Sequence, residues 1–438
     1  MIYVVDAIMG NGKTVAAINY MNEHPDNKFL YVTPFLTEVD RITEACAASD
    51  FVQPDKTLKL YGHSKMNHLR SLVNQGRNIA MTHALFSRID DMTAGMITDH
   101  KYIIILDEVL DVFQPLKFTR GDIKMAINAG FLVETGDDGA FKYYETGEDA
   151  SDYSGEFKKL FERAKLDQVV RTRGWDDPDK TQLGFWLLNR RLFKMSDKMF
   201  ILTYLFSGAP LKGFLDVNKI PYEYIGVRVC DDGKRRFSKY PETPSYVKDL
   251  RSHIHLCDKD SINSIGARRT ALSNNWLIHA MTNGDITKLR GHVGAYFKRH
   301  IPQDITADER MWSTYKVAVD KVRDKGFTNS HLVFNSRATN EYKHKAALAY
   351  CVNIFPQPEL EAYLKHNNAN IDWDAYAVGN MVQWIWRSRI REGKDIWLYL
   401  PSRRMRELLL QWIDDAEKAY DKEVKERNAR REDPGIID

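Results

Sequence analysis

Long apolar runs are missing from this 438-residue chain, and none approaches the ~20 residues that a membrane-spanning helix needs. The opening MIYVVDAIMG has no basic segment before its short apolar stretch, and Asp6 interrupts that stretch. No small-residue cleavage site follows, so a secretory signal is not expected. Cysteine is scarce. Cys46, Cys230, Cys257 and Cys351 are scattered and form no CxxC pair, which argues against a disulfide framework and fits a reducing cytoplasm. Excess charge of one sign is also lacking: 63 Lys and Arg against 60 Asp and Glu leave +3. A nucleic-acid partner must therefore be argued from local patches. There is no HExxH pair, which excludes a zincin, and Ser207-Gly208 is not part of a G-x-S-x-G elbow. What remains, 43% hydrophobic and 28% charged residues, is ordinary for a globular protein long enough for two or three domains.

Strand and helix signals alternate over the first ~110 residues, a pattern that argues for a parallel α/β sheet covered by helices. Strands are expected at 2–5, 29–33, 78–81 and 102–106, with helices at 14–21 and 38–48. The apolar run 102–106 is unbroken, as in a strand buried on both faces. Residues 112–197 break the rhythm and read as an insertion, with a hairpin around Gly136-Asp137-Asp138-Gly139. The sheet pattern returns at 198–203 and 222–229, and the polar Asp231–Arg236 stretch reads as a linker or exposed turn. A second α/β pattern follows, with strands expected at 252–256, 331–335 and 397–400 and a helix at 403–412. The charged stretch 417–433 reads as a solvated helix or tail. The expected division is 1–230, 231–415 and a tail over 416–438.

Ala7-Ile8-Met9-Gly10-Asn11-Gly12-Lys13-Thr14 follows a strand and opens a helix, the context that a Walker A phosphate loop requires. Gly10, Asn11 and Gly12 let backbone N–H groups close around phosphate oxygens, aided by the helix N-terminus. Lys13 reaches the β- and γ-phosphates of such a ligand, and the Thr14 hydroxyl is placed to ligate Mg²⁺. About ninety residues on, the apolar strand ends in Asp107-Glu108. Asp107 suits the Mg²⁺ hydration shell, and Glu108 suits the orientation and deprotonation of an attacking water.

With both halves in view, the chain resembles the superfamily 2 (DExx-box) helicases, in particular the phage replication type. Asp107-Glu108-Val109-Leu110 is similar to motif II. Val32-Thr33-Pro34, followed by Leu36 and Arg41, resembles motif Ia, and Thr82-His83 resembles the Thr-containing motif on the strand-binding face; both imply nucleic-acid contact. Ser207-Gly208-Ala209-Pro210 resembles the coupling motif III, with Gly208 where that motif has Ala. Gln383-Trp384-Ile385-Trp386-Arg387-Ser388-Arg389-Ile390-Arg391 resembles motif VI, with Trp386 replacing its Gly and the last arginine one place late. Arg387 and Arg391 are four apart and are expected on one helix face. The resemblance implies that they reach the γ-phosphate as arginine fingers. His331 to Arg337 resembles motif IV more weakly.

The resemblance implies two RecA-like parallel-sheet lobes, with an inserted α+β segment in the first. It implies ATP and Mg²⁺ as ligands, and single-stranded or forked DNA as partner with RNA left open. Replication proteins are possible further partners, and the setting is the cytoplasm, of the host if the chain is phage-encoded. Basic patches with aromatic neighbours, such as Lys298-Arg299-His300 beside Phe297, suit a phosphate backbone but equally suit solvated helix faces. His253, His255 and Cys257 share a face if 252–256 is a strand, but such a strand is too extended to close around one ion. In the insertion, Phe141, Tyr143 and Tyr144 suit a strand-separating wedge, whereas Asp137, Asp138, Glu145, Glu148 and Asp149 repel phosphates. A structural or partner-binding role stays equally open there. A packaging-type ATPase and an ATPase switch that does not unwind are the rival readings of the whole chain. With the phosphate loop beginning at residue 7, there is no room before it for the glutamine motif that reads adenine. Comparable turnover of ATP and GTP is therefore expected in a steady-state assay, and a preference for ATP on the order of a hundredfold would overturn this.

Overall fold

A computed structural model of the chain describes residues 1–46, 50–116, 118–135, 142–146, 155, 157–164, 169–171, 184–335, 341–429 and 435–437. The strands of the first part are β1 (Ile2–Asp6), β2 (Phe29–Thr33), β3 (Ile79–Thr82) and β4 (Ile103–Asp107). The inserted segment adds β5 (Phe113–Pro115), β6 (Leu132–Thr135), β7 (Lys142–Thr146), β8 (Val169–Arg171) and β9 (Gly184–Leu187). Then come β10 (Met199–Thr203), β11 (Tyr222–Val229), β12 (Arg235–Ser238), β13 (Ile254–Leu256), β14 (Arg310–Ser313), β15 (Ala347–Tyr350) and β16 (Ile396–Tyr399).

Among the described residues one sheet has the order β12-β11-β1-β10-β4-β2-β3. Its β3–β2, β2–β4 and β4–β10 pairs are parallel, and β11–β12 is an antiparallel hairpin. Strands β2 and β10 are buried along their whole length, and β4 is buried up to its final Asp107. Burial on both faces is what makes these segments read as near-continuous apolar runs. A second sheet, β13-β16-β15-β14, is parallel throughout. The architecture is the α/β one expected, parallel-sheet lobes with an inserted α+β segment.

That insertion is an antiparallel sheet of order β5-β9-β8-β7-β6. Ile123 and Ala126 of helix Arg120–Asn128, and Leu160 and Phe161 of helix Lys158–Ala164, share a core with Leu116, Leu132 and Trp186. The expected hairpin is the β6–β7 pair, with Leu132 opposite Thr146. Its turn, Gly136 to Gly139, and Phe141 lie outside the described residues.

Two expectations for the second sheet are corrected. Residues 331–335 are not a strand: His331 makes a single bridge to Trp312, and the chain turns at Phe334-Asn335. Beyond β16 the sheet is completed by β15 and, at its edge, β14, and β15 (ALAY) was missed because alanine has low strand propensity. Complete burial of Ala347, Leu348, Ala349 and Tyr350 decides the matter in the folded chain. Residues 252–256 are also only partly extended, since Leu250–His253 is a helical turn and β13 begins at Ile254. His253 therefore does not share a strand face with His255, and the two imidazoles bracket Asp395, at 2.6 Å and 3.1 Å.

The described chain forms two compact units. One comprises residues 1–4, 21–223 and 356–371, the other 5–20, 224–355 and 372–438. In the second, the C-terminal helix runs well past the expected 412, over Arg403–Ala429. Its Glu423 carboxylate accepts from the Thr243 backbone N–H at 2.8 and 2.9 Å and from the Thr243 hydroxyl. Beyond it the chain returns to β12, where Ile437 N–H donates to the Phe237 carbonyl and Lys239 N–H to that of Gly435.

Two glycines of this second unit separate close packing from helix propensity. A Cβ at Gly266 would lie 1.8 Å from the Pro401 carbonyl oxygen, which is backbone and cannot rotate away. A Cβ at Gly291, in helix Asn283–Arg299, meets nothing within 4 Å. Gly266→Ala should lower the unfolding free energy by about 1–3 kcal/mol. Gly291→Ala should raise it by roughly 0.5–1 kcal/mol. Chemical denaturation of both variants checks this, and equal midpoints would contradict the packing described.

Candidate functional site

The loop expected to bind phosphate departs from β1 and enters helix Lys13–Glu23. Gly10 and Gly12 both have φ of +83°, a left-handed conformation that disfavours side chains, so glycine is required at both. Asn11 N–H donates to the Ile8 carbonyl at 3.2 Å and closes the turn, and Ala16 N–H donates to Gly12 at 2.9 Å to start the helix. The Lys13 ammonium curls back over the loop, donating to the Ala7 carbonyl and, at 3.3 Å, to that of Ile8. Thr14 follows in the first helical turn, half-exposed.

Residues more than two hundred positions away hold the loop. The Asn11 side-chain amide donates to the Glu242 carbonyl at 2.9 Å. The Tyr246 hydroxyl donates to the Met9 carbonyl, and the hydroxyl oxygen is 3.6 Å from where a Gly10 Cβ would sit. Asn19 donates to the Arg235 carbonyl at 2.9 Å, and Tyr20 packs on Phe237 with ring centroids 5.8 Å apart. The Tyr246 ring lies 6.4 Å from that of Trp386, which meets Trp412 edge-on at 5.6 Å. Sequence reasoning missed Arg235, Glu242 and Tyr246 as neighbours of the loop, and Trp386 as the ring beside Tyr246. Three of the contacts are made through main-chain carbonyls, those of Glu242, Met9 and Arg235, which leave no residue signature.

The segment that follows Trp386 corrects a further expectation. Helix Trp373–Ile385 stops before Arg387, and Arg389–Glu392 is a separate 3₁₀ turn. Arg387 and Arg391 therefore do not share one α-helix face. Tertiary bonds end the helix: Arg389 N–H donates to the Lys345 carbonyl at 3.0 Å, and its Nε to that of Asp395 at 2.6 Å. Its guanidinium also lies 5.5 Å from the Trp397 ring centre and 3.7 Å from Glu309. Arg389 is a packing anchor, whereas Gln383 and Arg391 are exposed and Arg387 is half-buried.

The Asp107-Glu108 pair closes β4. The Tyr31 hydroxyl, from the neighbouring β2, donates to Asp107 Oδ2 at 2.7 Å, and His83 Nε2 lies 2.9 Å from the Asp107 carbonyl oxygen. Burial, reinforced by the Asp107 charge and the hydrogen bond to it, holds the Tyr31 phenol well above its ordinary pKa, so it is a neutral donor. Glu108 turns at φ +67° and donates its N–H to Leu202 at 3.0 Å. The other sequence-predicted residues sit at neighbouring strand ends. Thr33 is fully buried at the end of β2, with Pro34 half-buried beside it. The Thr82 hydroxyl caps helix His83–Phe86, accepting from Leu85 N–H at 3.4 Å, and His83 is buried. Ser207 lies in the 3₁₀ turn Phe206–Gly208 after β10. Tyr31 was missed by sequence reasoning, although a tyrosine inside a fully buried strand must find a partner for its hydroxyl.

Residues 248–413 match the family profile described as the YonV C-terminal Rossmann-like domain. The SPbeta prophage-derived protein YonV of Bacillus subtilis (strain 168) is 31% identical over 422 residues, covering 94% of this chain and 98% of that protein. Among solved structures, one titled XPD helicase superposes with a TM-score of 0.46 at 12% identity, over 99% of this chain and 96% of that one. That of S. tokodaii Xpd4 gives a TM-score of 0.47 at 10% identity, over 94% and 93%.

The Tyr31–Asp107 bond generates a stability test. Tyr31→Phe deletes a buried donor to a carboxylate and should lower the unfolding free energy by about 1–3 kcal/mol. Urea denaturation reads it, and a variant as stable as the parent would show that the bond contributes nothing.

Proposed function

The chain belongs to the family of the prophage protein YonV, and we propose that it is a nucleoside-triphosphate-hydrolysing motor on nucleic acid, of the superfamily 2 helicase type. The observation that carries this is the loop after β1, where two glycines at φ +83° precede Lys13 at a helix start. Such a loop presents backbone N–H groups, a helix N-terminus and an ammonium to phosphate oxygens. Asp107-Glu108 at the end of β4 supports hydrolysis rather than binding alone.

In this reading Gly10, Asn11, Gly12 and Lys13 hold the phosphates of ATP, and Thr14 with Asp107 holds Mg²⁺. The ion supplies charge neutralisation at the phosphates. Glu108 orients the attacking water and takes its proton. Gln383, Arg387 and Arg391 act on the γ-phosphate from the motif VI-like segment, and Ser207 couples hydrolysis to movement. Thr33, Pro34, Thr82 and His83 belong to the strand-binding face, through backbone atoms where the side chains are buried or used as caps. The partner is single-stranded or forked DNA, with RNA as the second substrate to try. The prophage origin of the relative supports a phage setting, and the motor reading adds the host cytoplasm as its place and replication proteins as further partners.

One set of assays tests this. Lys13→Ala should abolish nucleotide binding or turnover. Glu108→Gln should keep binding and lose turnover, because an amide takes no proton from water. Arg387→Ala and Arg391→Ala should spare binding and cut turnover on the order of a thousandfold, as for an arginine finger. Single-stranded DNA should stimulate hydrolysis at low salt, with the effect falling steeply as salt rises. Parental turnover in Glu108→Gln would overturn the catalytic assignment. An ATPase indifferent to every DNA and RNA tested would overturn the motor. Forked, 5′-tailed and 3′-tailed duplexes then separate unwinding from translocation.

A further inference from the structure

Arg235 opens β12 and lies against the phosphate loop. Its carbonyl accepts from Asn19 at 2.9 Å, which ties the strand to helix Lys13–Glu23. Its side chain rests on Gly12: a Cβ built there would be 2.2 Å from Arg235 Cδ, 2.6 Å from Nε and 3.4 Å from Cζ. Gly12 is therefore glycine for two reasons, its positive φ and the arginine stem that covers it. Arg235 Nε is buried, and among the described residues nothing accepts its hydrogen bond. The next residue, Arg236, is by contrast paired with Asp232 at 2.6 Å.

A buried guanidinium N–H without an acceptor needs an explanation, and an anion that enters the site on binding is one. The loop beneath it is built to receive phosphates. Lys13 sits over the carbonyls of Ala7 and Ile8 at the start of the loop, and Arg235 sits at its end, over Gly12. We propose that Arg235 is a further phosphate-binding residue, whose guanidinium donates to a phosphate oxygen of the bound nucleoside triphosphate. Guanidinium–phosphate hydrogen bonds are charge-assisted, which suits an arginine to this place. The inference rests on the nucleotide reading above and adds to it a residue outside the Walker loop.

The test uses the full chain and binding of a fluorescent ATP analogue, with inorganic tripolyphosphate and adenosine as competitors. Arg235→Ala should weaken analogue binding about tenfold or more, as expected for loss of a charge-assisted contact. It should also weaken competition by tripolyphosphate, while adenosine competes as it does with the parent. Arg235→Gln keeps most of the stem and loses the charge, so it should bind as poorly as Arg235→Ala. Arg235→Lys should recover part of the affinity. Thermal midpoints without nucleotide identify any variant that does not fold, and the Gln and Lys variants then carry the comparison. A Gln variant that binds like the parent would reduce Arg235 to packing, and an Ala variant that binds as tightly or more tightly would overturn the proposal. Failure of the parent to bind any nucleotide sinks the reading of the site itself. Parental binding that Lys13→Ala abolishes and Arg235→Ala leaves intact removes Arg235 alone.

Discussion

Burial of β2, β4 and β10 on both faces is the constraint on which the candidate chemistry depends. A parallel strand covered by helices on both sides has nowhere to expose a polar side chain except at its ends. The last residues of β2, β3, β4 and β10 are Thr33, Thr82, Asp107 and Thr203, all polar after apolar runs. Because these strands are parallel, their polar ends fall along one edge of the sheet, where open α/β sheets place ligands. Tyr31 is the exception inside β2, and its hydroxyl is directed to the Asp107 carboxylate. The same hydrogen bond that satisfies a buried phenol thus fixes the Asp107 side chain.

The legible parts were those in which local pattern and burial agree. Segments 29–33 and 222–229 have the bounds that their composition suggested, and the Asp107-Glu108 pair sits at the strand end that its apolar run announced. The turn that carries Gly10 and Gly12 was equally legible, since both adopt the positive φ that favours glycine. Where tertiary contacts outweigh local preference, the reading failed. Strand β15 is alanine-rich and is a strand because it is buried between β14 and β16. The motif VI-like stretch looks helical by spacing, yet Arg389 is drawn to the carbonyls of Lys345 and Asp395, and the helix ends at Ile385. A spacing of four residues places two side chains together only while the helix lasts.

The surroundings of the loop were illegible for a different reason. Asn11, Met9, Gly12 and Asn19 meet Glu242, Tyr246 and Arg235, and three of these contacts use backbone carbonyls that any residue supplies. Their positions are set by what lies behind them. Glu423 of the C-terminal helix holds Thr243 through its backbone and its hydroxyl, between Glu242 and Tyr246. The returning residues Gly435 and Ile437 hold the Phe237–Lys239 stretch that follows Arg235 and Arg236. The loop near residue 10 and the chain beyond residue 420 are thus joined through a short series of hydrogen bonds within one compact unit. Thermodynamic linkage follows if the series orders on binding: a ligand that fixes the loop would stabilise the C-terminal helix, and loosening the helix would weaken the ligand by the same free energy. The coupling needs no contact between the ligand and the helix, only that Thr243 and Arg235 keep their places together.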